Sequence, residues 1–482
     1  MPRNKSTKVF SEINSFFTSS EKGILRVMEL YQGLNLNRIK IVPKEMPQAI
    51  YKRGDILLGL LLFPLFSVNN VYTYQTSALK KFFEASKNTF YRFKNNPLIN
   101  WRSVVAKSNK ALFRHKDRHF QVDTDNPKCL IIDDTDFEKT SFMTEHAGKI
   151  WSHVKHKSVL GIKGLFLGYW DGKSFFSLNF SLHKEKGKNK KKPFGLTPKQ
   201  KKAQYKKFRP KHASGYLREQ ELLKDKISMS IKMIKEVMKR NLVVDYILMD
   251  SWFFCEAFLN MLSGLKGKID IVGMLKMGNA KYLYQGKHYS LKELGTLLKK
   301  RKKVRKITSL NLYGTEIVVE YKSHVLKLFF CKTSKRGKWH VLVTTDTNLG
   351  ILKAYEIYSI RWSIEVFFKE SKQYFGLGKS QSQDFDAQIA DISIAMIQYN
   401  VFSLAKRIEA YETLGGLFFE IKGQITEYTI TERIWGFIRE LLSIMADFMD
   451  GNFNELIISI MKNDKKETKL VNLIETQLSK AA

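Results

Sequence analysis

The chain is poor in cysteine, in acidic residues and in long apolar runs. Its 482 residues include three cysteines and no CxxC pair, so neither a zinc site built on them nor a disulfide framework is expected. This usage is typical of a reducing cytoplasm, and residues 1–10 lack the apolar segment of a signal peptide. The longest apolar run, residues 56–66, is too short to span a bilayer. It predicts a buried helix, and no membrane partner is expected.

The shortage of acids leaves a large positive charge. Lys and Arg total 82 against 46 for Asp and Glu, which gives a formal net charge of +36. Such an excess indicates a polyanionic partner, and a membrane surface or RNA would satisfy the charge as well as DNA. Aromatic residues make up 13% of the chain, which argues against a disordered basic tail. The sequence also lacks a GxxxxGK[ST] loop, so ATP is not implied.

The first part of the chain, residues 1–125, is predicted to be helical and basic. Within it, residues 82–105 have helical periodicity, with a break at Asn95-Asn96-Pro97. Two short basic helices around such a break fit a helix-turn-helix DNA reader, and they fit a plain helical hairpin equally well.

A β pattern begins at residue 128, and residues 158–183 predict a hairpin around Asp171-Gly172. The following segment, residues 184–212, is so rich in Lys that it predicts a loop or mobile arm. Residues 214–240 predict one amphipathic helix. The predicted regions are a helical DNA-binding region at 1–125, the first part of an α/β core at 126–264, a β-rich insertion at 265–350, a helix completing the core at 351–410, and a helical C-terminal region at 411–482.

Three acids follow in an order that suggests a metal site. Two predicted strands end at Asp134 and Asp250, which would lie side by side at a sheet edge, and a helix packed across that edge would deliver Glu365. Divalent cations make such converging carboxylates tolerable. Two cations roughly 3.5–4 Å apart would activate a water or a 3′-hydroxyl and stabilise the leaving oxygen of a phosphodiester.

Each of these acids also has a plainer interpretation as a turn cap, a helix N-cap or an ion-pair partner. Other acids lie close to them in the sequence, namely Asp133, Asp136, Asp245, Asp346, Glu356 and Glu370.

The segment around Glu365 has the spacing of a single helix face. At roughly 100° per residue, five side chains fall within an arc of about 80°, so one carboxylate is framed by three cations and a phenol. The plain alternative is an amphipathic helix with i,i+4 ion pairs. The five residues are Tyr358, Arg361, Glu365, Lys369 and Lys372.

Three motifs, LIIDDTDFEKT, YILMDSWF and Y-x2-R-x3-E-x6-K, resemble the DDE transposases of bacterial insertion sequences over roughly residues 125–410. The subgroup is the hairpin-forming, cut-and-paste one with a YREK signature. The resemblance implies an α/β fold with an RNase H-like core, a mixed sheet flanked by helices, and a β-rich insertion. It also implies that the first catalytic acid directly precedes Thr, which selects Asp134 rather than Asp133. Asp134, Asp250 and Glu365 would then be the catalytic and metal-binding residues.

The resemblance implies DNA-binding roles for further residues. Tyr358, Arg361 and Lys372 would grip phosphates of the element's ends, whereas Lys369 lies outside the signature. Trp339 would stack on a flipped base, with a strand anchor as the equal alternative. Independently of the resemblance, the basic cluster at 299–306 is expected to contact phosphates; its candidate residues are Lys299, Lys300, Arg301, Lys302 and Lys303.

The function expected from these features is cut-and-paste transposition. A homodimer would bind terminal inverted repeats, cleave the ends with two Mg²⁺ ions (or Mn²⁺ in their place), and transfer the 3′-hydroxyls to target DNA. A cytoplasmic, nucleoid-associated bacterial protein is implied. The alternatives are a metal-dependent nuclease on the same core that does not join strands, and a DNA-binding protein that is not an enzyme.

Overall fold

The structure is a computed structural model that describes residues 22–42, 51–83, 85–121, 125–240, 242–262, 264–265, 269–301 and 303–448. The chain divides into two compact units, Met1–Glu420 and Ile421–Ala482. Within the described ranges, the helices are too short or too polar to cross a membrane.

Helices occupy both ends of the described chain and separate several of its strands. They are α1 Lys22–Gly33, α2 Arg53–Leu62, α3 Lys87–Lys94, α4 Trp101–His119, α5 Pro198–Lys202, α6 Ser214–Glu221, α7 Lys226–Met238, α8 Glu256–Leu262, α9 Leu291–Lys300, α10 Ile351–Ser359, α11 Trp362–Tyr374, α12 Phe385–Ile408 and α13 Leu414–Phe448.

The strands join into one sheet. They are β1 Cys129–Glu138, β2 Gly148–Ser152, β3 Lys157–Trp170, β4 Phe175–His183, β5 Tyr246–Met249, β6 Asp270–Leu275, β7 Lys281–Tyr284, β8 Lys287–Ser290, β9 Arg305–Ile307, β10 Leu312–Tyr321, β11 His324–Lys332 and β12 His340–Thr344. The sheet order is β2-β3-β1-β5-β6-β12-β11-β10-β7-β8, with β4 beside β3 and β9 beside β10.

Two kinds of pairing meet at β1. This strand pairs antiparallel with β3 on one side and parallel with β5 on the other, and β5 pairs parallel with β6. Residues 129–132 of β1 are all buried, as expected for a strand covered on both faces. A mixed sheet with helices packed on it is the architecture predicted for an RNase H-like core, so the predicted fold class is confirmed.

The predicted β-rich insertion does not form a separate sheet. Its first strand, β6, extends the core by pairing with β5, and β12 then pairs antiparallel with β6. The remaining insertion strands continue outward from β12. The structure therefore places the strand at the start of the predicted 265–350 region within the core sheet.

Helix α12 lies in the interior. Nearly all of its residues from Phe385 to Ala405 are buried, including several polar ones. Asn400 exchanges hydrogen bonds with the backbone of Ser177 in β4, at 2.8 Å in each direction. Since buried backbone groups require partners, Asn400 completes the hydrogen bonding of this strand and fixes α12 against the sheet.

Two local predictions hold and one does not. The hairpin forms as predicted, since Asp171 Oδ1 accepts hydrogen bonds from the backbone of Lys173 and Ser174. The 56–66 run lies in and after the buried helix α2. The single helix expected after residue 214 is instead divided into α6 and α7, because Asp225 caps a new helix by accepting from the backbone N of Ser228.

The basic segment 184–212 ends inside the protein rather than forming a mobile arm throughout. The Arg209 guanidinium donates to both carboxylate oxygens of Glu145, at 2.8 and 2.6 Å, and to Asp386 Oδ2 at 3.0 Å. The Arg209 side chain is fully buried. Residues 186–192 are exposed, so the description as a solvated loop fits only the first part of the segment.

We predict that Arg209→Ala destabilises the protein by about 3–5 kcal/mol, because it leaves the buried carboxylate of Glu145 without its guanidinium partner and Asp386 with Lys207 alone. The measurement is the free energy of unfolding from denaturant titration. Lys190→Ala, which removes an exposed cation of the same segment, is the matched control and should leave stability unchanged. Equal stability of the two variants would contradict the assigned role of Arg209.

Candidate functional site

The parallel pairing of β1 and β5 brings two acids together, one inside β1 and one directly after β5. In the parallel pairing Ile132 lies opposite Met249, so the next residues along the two strands are Asp133 and Asp250. Asp250 Oδ1 accepts hydrogen bonds from the backbone of Trp252 and Phe253, at 2.9 and 3.3 Å. This turn holds the Asp250 carboxylate at the end of its strand.

The Asp133 carboxyl group is in an environment that disfavours its charge. Burial raises its pKa to about 7; the Arg361 guanidinium and a hydrogen bond from the backbone of Asp134 oppose this shift, and the charges of Asp134 and Asp250 add to it. A partly buried acid with a perturbed pKa beside a second acid is typical of a functional site.

Asp134, the acid selected from the sequence, makes different contacts. Its Oδ2 accepts a hydrogen bond from Lys226 Nζ at 2.8 Å and lies 3.9 Å from Lys163 Nζ. Successive residues of a strand point to opposite faces, so Asp133 and Asp134 cannot both face the Arg361 side of the sheet. The geometry therefore brings Asp133, rather than the expected Asp134, into the site with Glu365.

Glu365 reaches the site through Arg361. Arg361 Nη1 donates to Asp133 Oδ2 at 3.1 Å, and Nη2 donates to Glu365 Oε1 at 2.6 Å. One guanidinium thus bridges an acid of β1 and an acid of α11. Arg361, which the resemblance implies as a phosphate-binding residue, pairs with the two carboxylates in this structure. Its buried Nε has no hydrogen-bond partner among the described residues.

The predicted single helix over 358–372 is broken at Ile360–Arg361. The backbone N–H groups of Arg361 and Ile364 bond to the carbonyls three residues earlier, Tyr358 and Arg361, which is 3₁₀ rather than α-helical bonding. Tyr358 therefore belongs to α10 and Glu365 to α11. The Tyr358 ring remains close to Arg361, with 5.7 Å from its centroid to the guanidinium carbon.

The two lysines of the predicted helix face have different environments. Lys372 Nζ donates to Thr135 Oγ1 at 2.7 Å and to the carbonyl oxygen of Asp136 at 3.3 Å, and burial lowers its pKa. Lys372 therefore ties α11 to β1. Lys369 is exposed.

Trp339 is packed inside the insertion. Its ring centroid lies 5.6 Å from that of Phe330, and Lys332 Nζ lies 4.8 Å from it on the ring face. A Cβ added to Gly295 of α9 would fall 2.6 Å from Trp339 Nε1, so the indole sits directly on that helix. These contacts match the strand anchor that the sequence left as an alternative.

The basic cluster lies at the end of α9 and in the loop that follows it. Lys302 lies outside the described residues. The other predicted members are exposed, and they are Lys299, Lys300, Arg301 and Lys303.

Three residues at the site were not predicted. Asp133 was passed over, although the buried runs CLII and YILM end at Ile132 and Met249, so that counting from these ends pairs Asp133 with Asp250. Lys226 lies 4.8 Å from the ring centroid of Trp252, and Trp252 is 53% exposed. Lys226 belongs to no motif, and Trp252 lies in the motif YILMDSWF, in which the resemblance assigns a role to Asp250 alone.

The donor chemistry of Asp133, Asp250 and Glu365 fits a hard divalent cation, because carboxylate oxygens are the ligands that Mg²⁺ and Mn²⁺ prefer. Arg361 supplies the positive charge between Asp133 and Glu365 in this structure. Among the described residues, the groups whose ligand atoms all lie within 4.8 Å of one another are Glu29–His115–His119 and Glu145–His146–Glu219; the three acids are not such a group in this structure.

Comparison with known proteins identifies the family. A family model described as "Transposase DDE domain" matches residues 125–401, and no curated protein sequence matches the chain. Among solved structures, a piggyBac transposase synaptic complex with hairpin DNA shares 12% identity, with a TM-score of 0.44, over 85% of this chain and 81% of that one. A structural similarity of this degree supports no specific role. The family match spans more than half of the sequence, and the chain belongs to the Transposase DDE domain family.

Proposed function

We propose that this DNA transposase cleaves the ends of its element and joins their 3′-hydroxyls to target DNA, with Asp133, Asp250 and Glu365 as the metal-binding acids. The observation that carries the proposal is the placement of these acids: Asp133 in β1 lies beside Asp250, which follows β5, and Arg361 joins Glu365 to Asp133. All three lie within the segment matched by the family model.

Two Mg²⁺ ions, or Mn²⁺ in their place, would supply an activated water or 3′-hydroxyl and stabilise the leaving oxygen. The three carboxylates would hold these ions, and the backbone N–H groups of Trp252 and Phe253 would orient Asp250. Lys372, through Thr135, would keep α11 in register with β1. These residues position the reacting groups, which is a large part of phosphoryl-transfer catalysis.

Arg361 would change partners when DNA binds. A guanidinium pairs with a phosphate in the same bidentate way as with a carboxylate, so a scissile-strand phosphate competes with Asp133 and Glu365 for it. When Arg361 moves to the phosphate, Asp133 and Glu365 would lose their cationic partner and become free to bind the metal ions. Tyr358, next to Arg361, would contact the same phosphate, as expected for the YREK subgroup of bacterial insertion-sequence transposases.

The surplus cations would hold the DNA outside the site. Lys299, Lys300, Arg301 and Lys303 are exposed, and the chain carries a net charge of +36. Phosphate contacts by such residues give sequence-independent affinity. Recognition of terminal inverted repeats, homodimeric synapsis and a nucleoid-associated bacterial cytoplasm complete the proposal.

The experiment that tests the proposed function uses the inverted repeats flanking the gene. The protein is incubated with DNA bearing these repeats, a target plasmid and Mg²⁺, and the products are sequenced. Joined products support transposition, cleavage without joining supports the nuclease alternative, and binding without either supports the non-enzymatic alternative.

We predict that Asp133→Asn, Asp250→Asn and Glu365→Gln each reduce end cleavage by more than about 100-fold, the upper range for losing a residue that only supports a metal ligand. DNA binding should persist, because removing an acid lessens repulsion of phosphate. The readout is cleavage rate beside binding affinity.

Asp134→Asn is the matched control, since it removes the neighbouring acid on the opposite strand face. It should retain cleavage within about tenfold of the parent protein. If Asp134→Asn abolishes cleavage and Asp133→Asn does not, the assignment of the first acid to Asp133 is wrong.

We predict that Lys300→Gln combined with Lys303→Gln reduces the slope of log affinity against log salt concentration by about 0.9 for each phosphate contact removed. The matched control replaces two exposed lysines around the β2–β3 turn, Lys155 and Lys157. An identical slope in the cluster variant and the parent protein would show that the cluster does not contact DNA.

A further inference from the structure

A group of metal-binding side chains lies outside the proposed catalytic site, between α1 and α4. His115 and His119 are four residues apart on α4, which places them on the same helix face. Their rings stack with centroids 5.4 Å apart and planes inclined by 15°. Glu29 of α1 faces them, with Oε1 3.7 Å from His115 Nε2.

The spacing of the three residues is close to that of a coordination shell. Their potential ligand atoms all lie within 4.8 Å of one another. Two ligands of a tetrahedral Zn²⁺, each at about 2.0–2.1 Å, lie about 3.4 Å apart, so the 3.7 Å between Glu29 and His115 requires only a small adjustment.

His115 turns its Nε2, rather than its buried Nδ1, toward Glu29. Nε2 is therefore the ring nitrogen available to a metal ion. The ring is held by close packing, since a Cβ added to Gly33 would lie 3.0 Å from His115 Cδ2.

The other carboxylate oxygen of Glu29 is already positioned. Arg26 Nη1 donates to Glu29 Oε2, while Arg26 Nε donates to Glu409 Oε1 at 2.7 Å. Glu29 Oε1 therefore remains directed at the histidines, and Glu409 offsets the charge of Arg26. A hydrogen-bonded support behind a ligating carboxylate is usual at protein metal sites.

The second such group of the described residues is less suited to a metal. Both oxygens of Glu145 accept from the Arg209 guanidinium, and His146 Nε2 lies 3.1 Å from Glu219 Oε1. These acids already have buried or partly buried cationic partners. The group is better understood as part of the Arg209 ion network.

We propose that Glu29, His115 and His119 form a Zn²⁺ site that clamps α1 to α4, with water as the fourth ligand. Two imidazoles and one carboxylate are a common ligand set for this ion. The site is independent of the catalytic acids, and the ion would stabilise the helical region that precedes β1.

The test is titration of the full-length protein with Co²⁺ and Zn²⁺ in excess Mg²⁺, which occupies the catalytic carboxylates. We expect one Co²⁺ per chain with the visible absorption of a tetrahedral site, displacement by Zn²⁺, and a Zn²⁺-dependent rise in Tm. His119→Ala and Glu29→Gln change exposed side chains and should weaken binding by more than about tenfold.

Two control variants make the outcome decisive. His153→Ala removes an exposed histidine elsewhere and should bind Zn²⁺ as the parent protein does, and so should His146→Ala. The proposal is overturned if Zn²⁺ fails to bind, if His119→Ala and Glu29→Gln bind it unchanged, or if binding is lost in His146→Ala instead.

Discussion

The repulsion between the carboxylates of Asp133, inside β1, and Asp250, directly after β5, is the constraint on which the site depends. The parallel register aligns Asp133 with Asp250, and α11 adds Glu365. Arg361 offsets part of this repulsion by bridging Asp133 and Glu365. Because the same guanidinium suits a phosphate, binding of DNA and release of the carboxylates are coupled in the proposed mechanism.

Because acids are scarce, buried acids outside the site are shared between several cations. Several buried acids each serve more than one cation: Glu221 contacts Arg102, Arg218 and Lys232, and Asp171 contacts Lys116 and Arg407. Sharing of this kind keeps buried cations paired while the acids remain few. Many of the other Lys and Arg side chains among the described residues are exposed, where they favour a polyanion.

Much of the fold could be predicted from sequence because it follows from local patterns. The apolar runs before Asp133 and Asp250 identify buried strands, and Asp171-Gly172 identifies the β3–β4 turn. The break between α6 and α7 could have been anticipated from Asp225, a good N-cap residue. The joining of the insertion to the core sheet could not, because pairing between distant strands leaves no local signal.

The candidate sites from sequence and from structure share Asp250 and Glu365 and differ in the first acid. Glu365 and Asp250 follow from motif spacing, whereas the choice between Asp133 and Asp134 depends on which face of β1 each residue occupies. The Asp-Thr motif favoured Asp134, and the register with β5 favours Asp133. The bridging position of Arg361 was also inaccessible, since it requires the three-dimensional approach of α11 to β1.

Iron-directed cleavage of the chain probes the convergence of the three acids most directly. Fe²⁺ replacing Mg²⁺, with ascorbate and peroxide, generates radicals that cut the backbone beside the bound metal. A shared site requires cuts near Asp133, Asp250 and Glu365 together, all suppressed by excess Mg²⁺ and all lost in Asp250→Asn. Mg²⁺-sensitive cuts confined to other segments, or near only one of these residues, would contradict a metal site formed by the three.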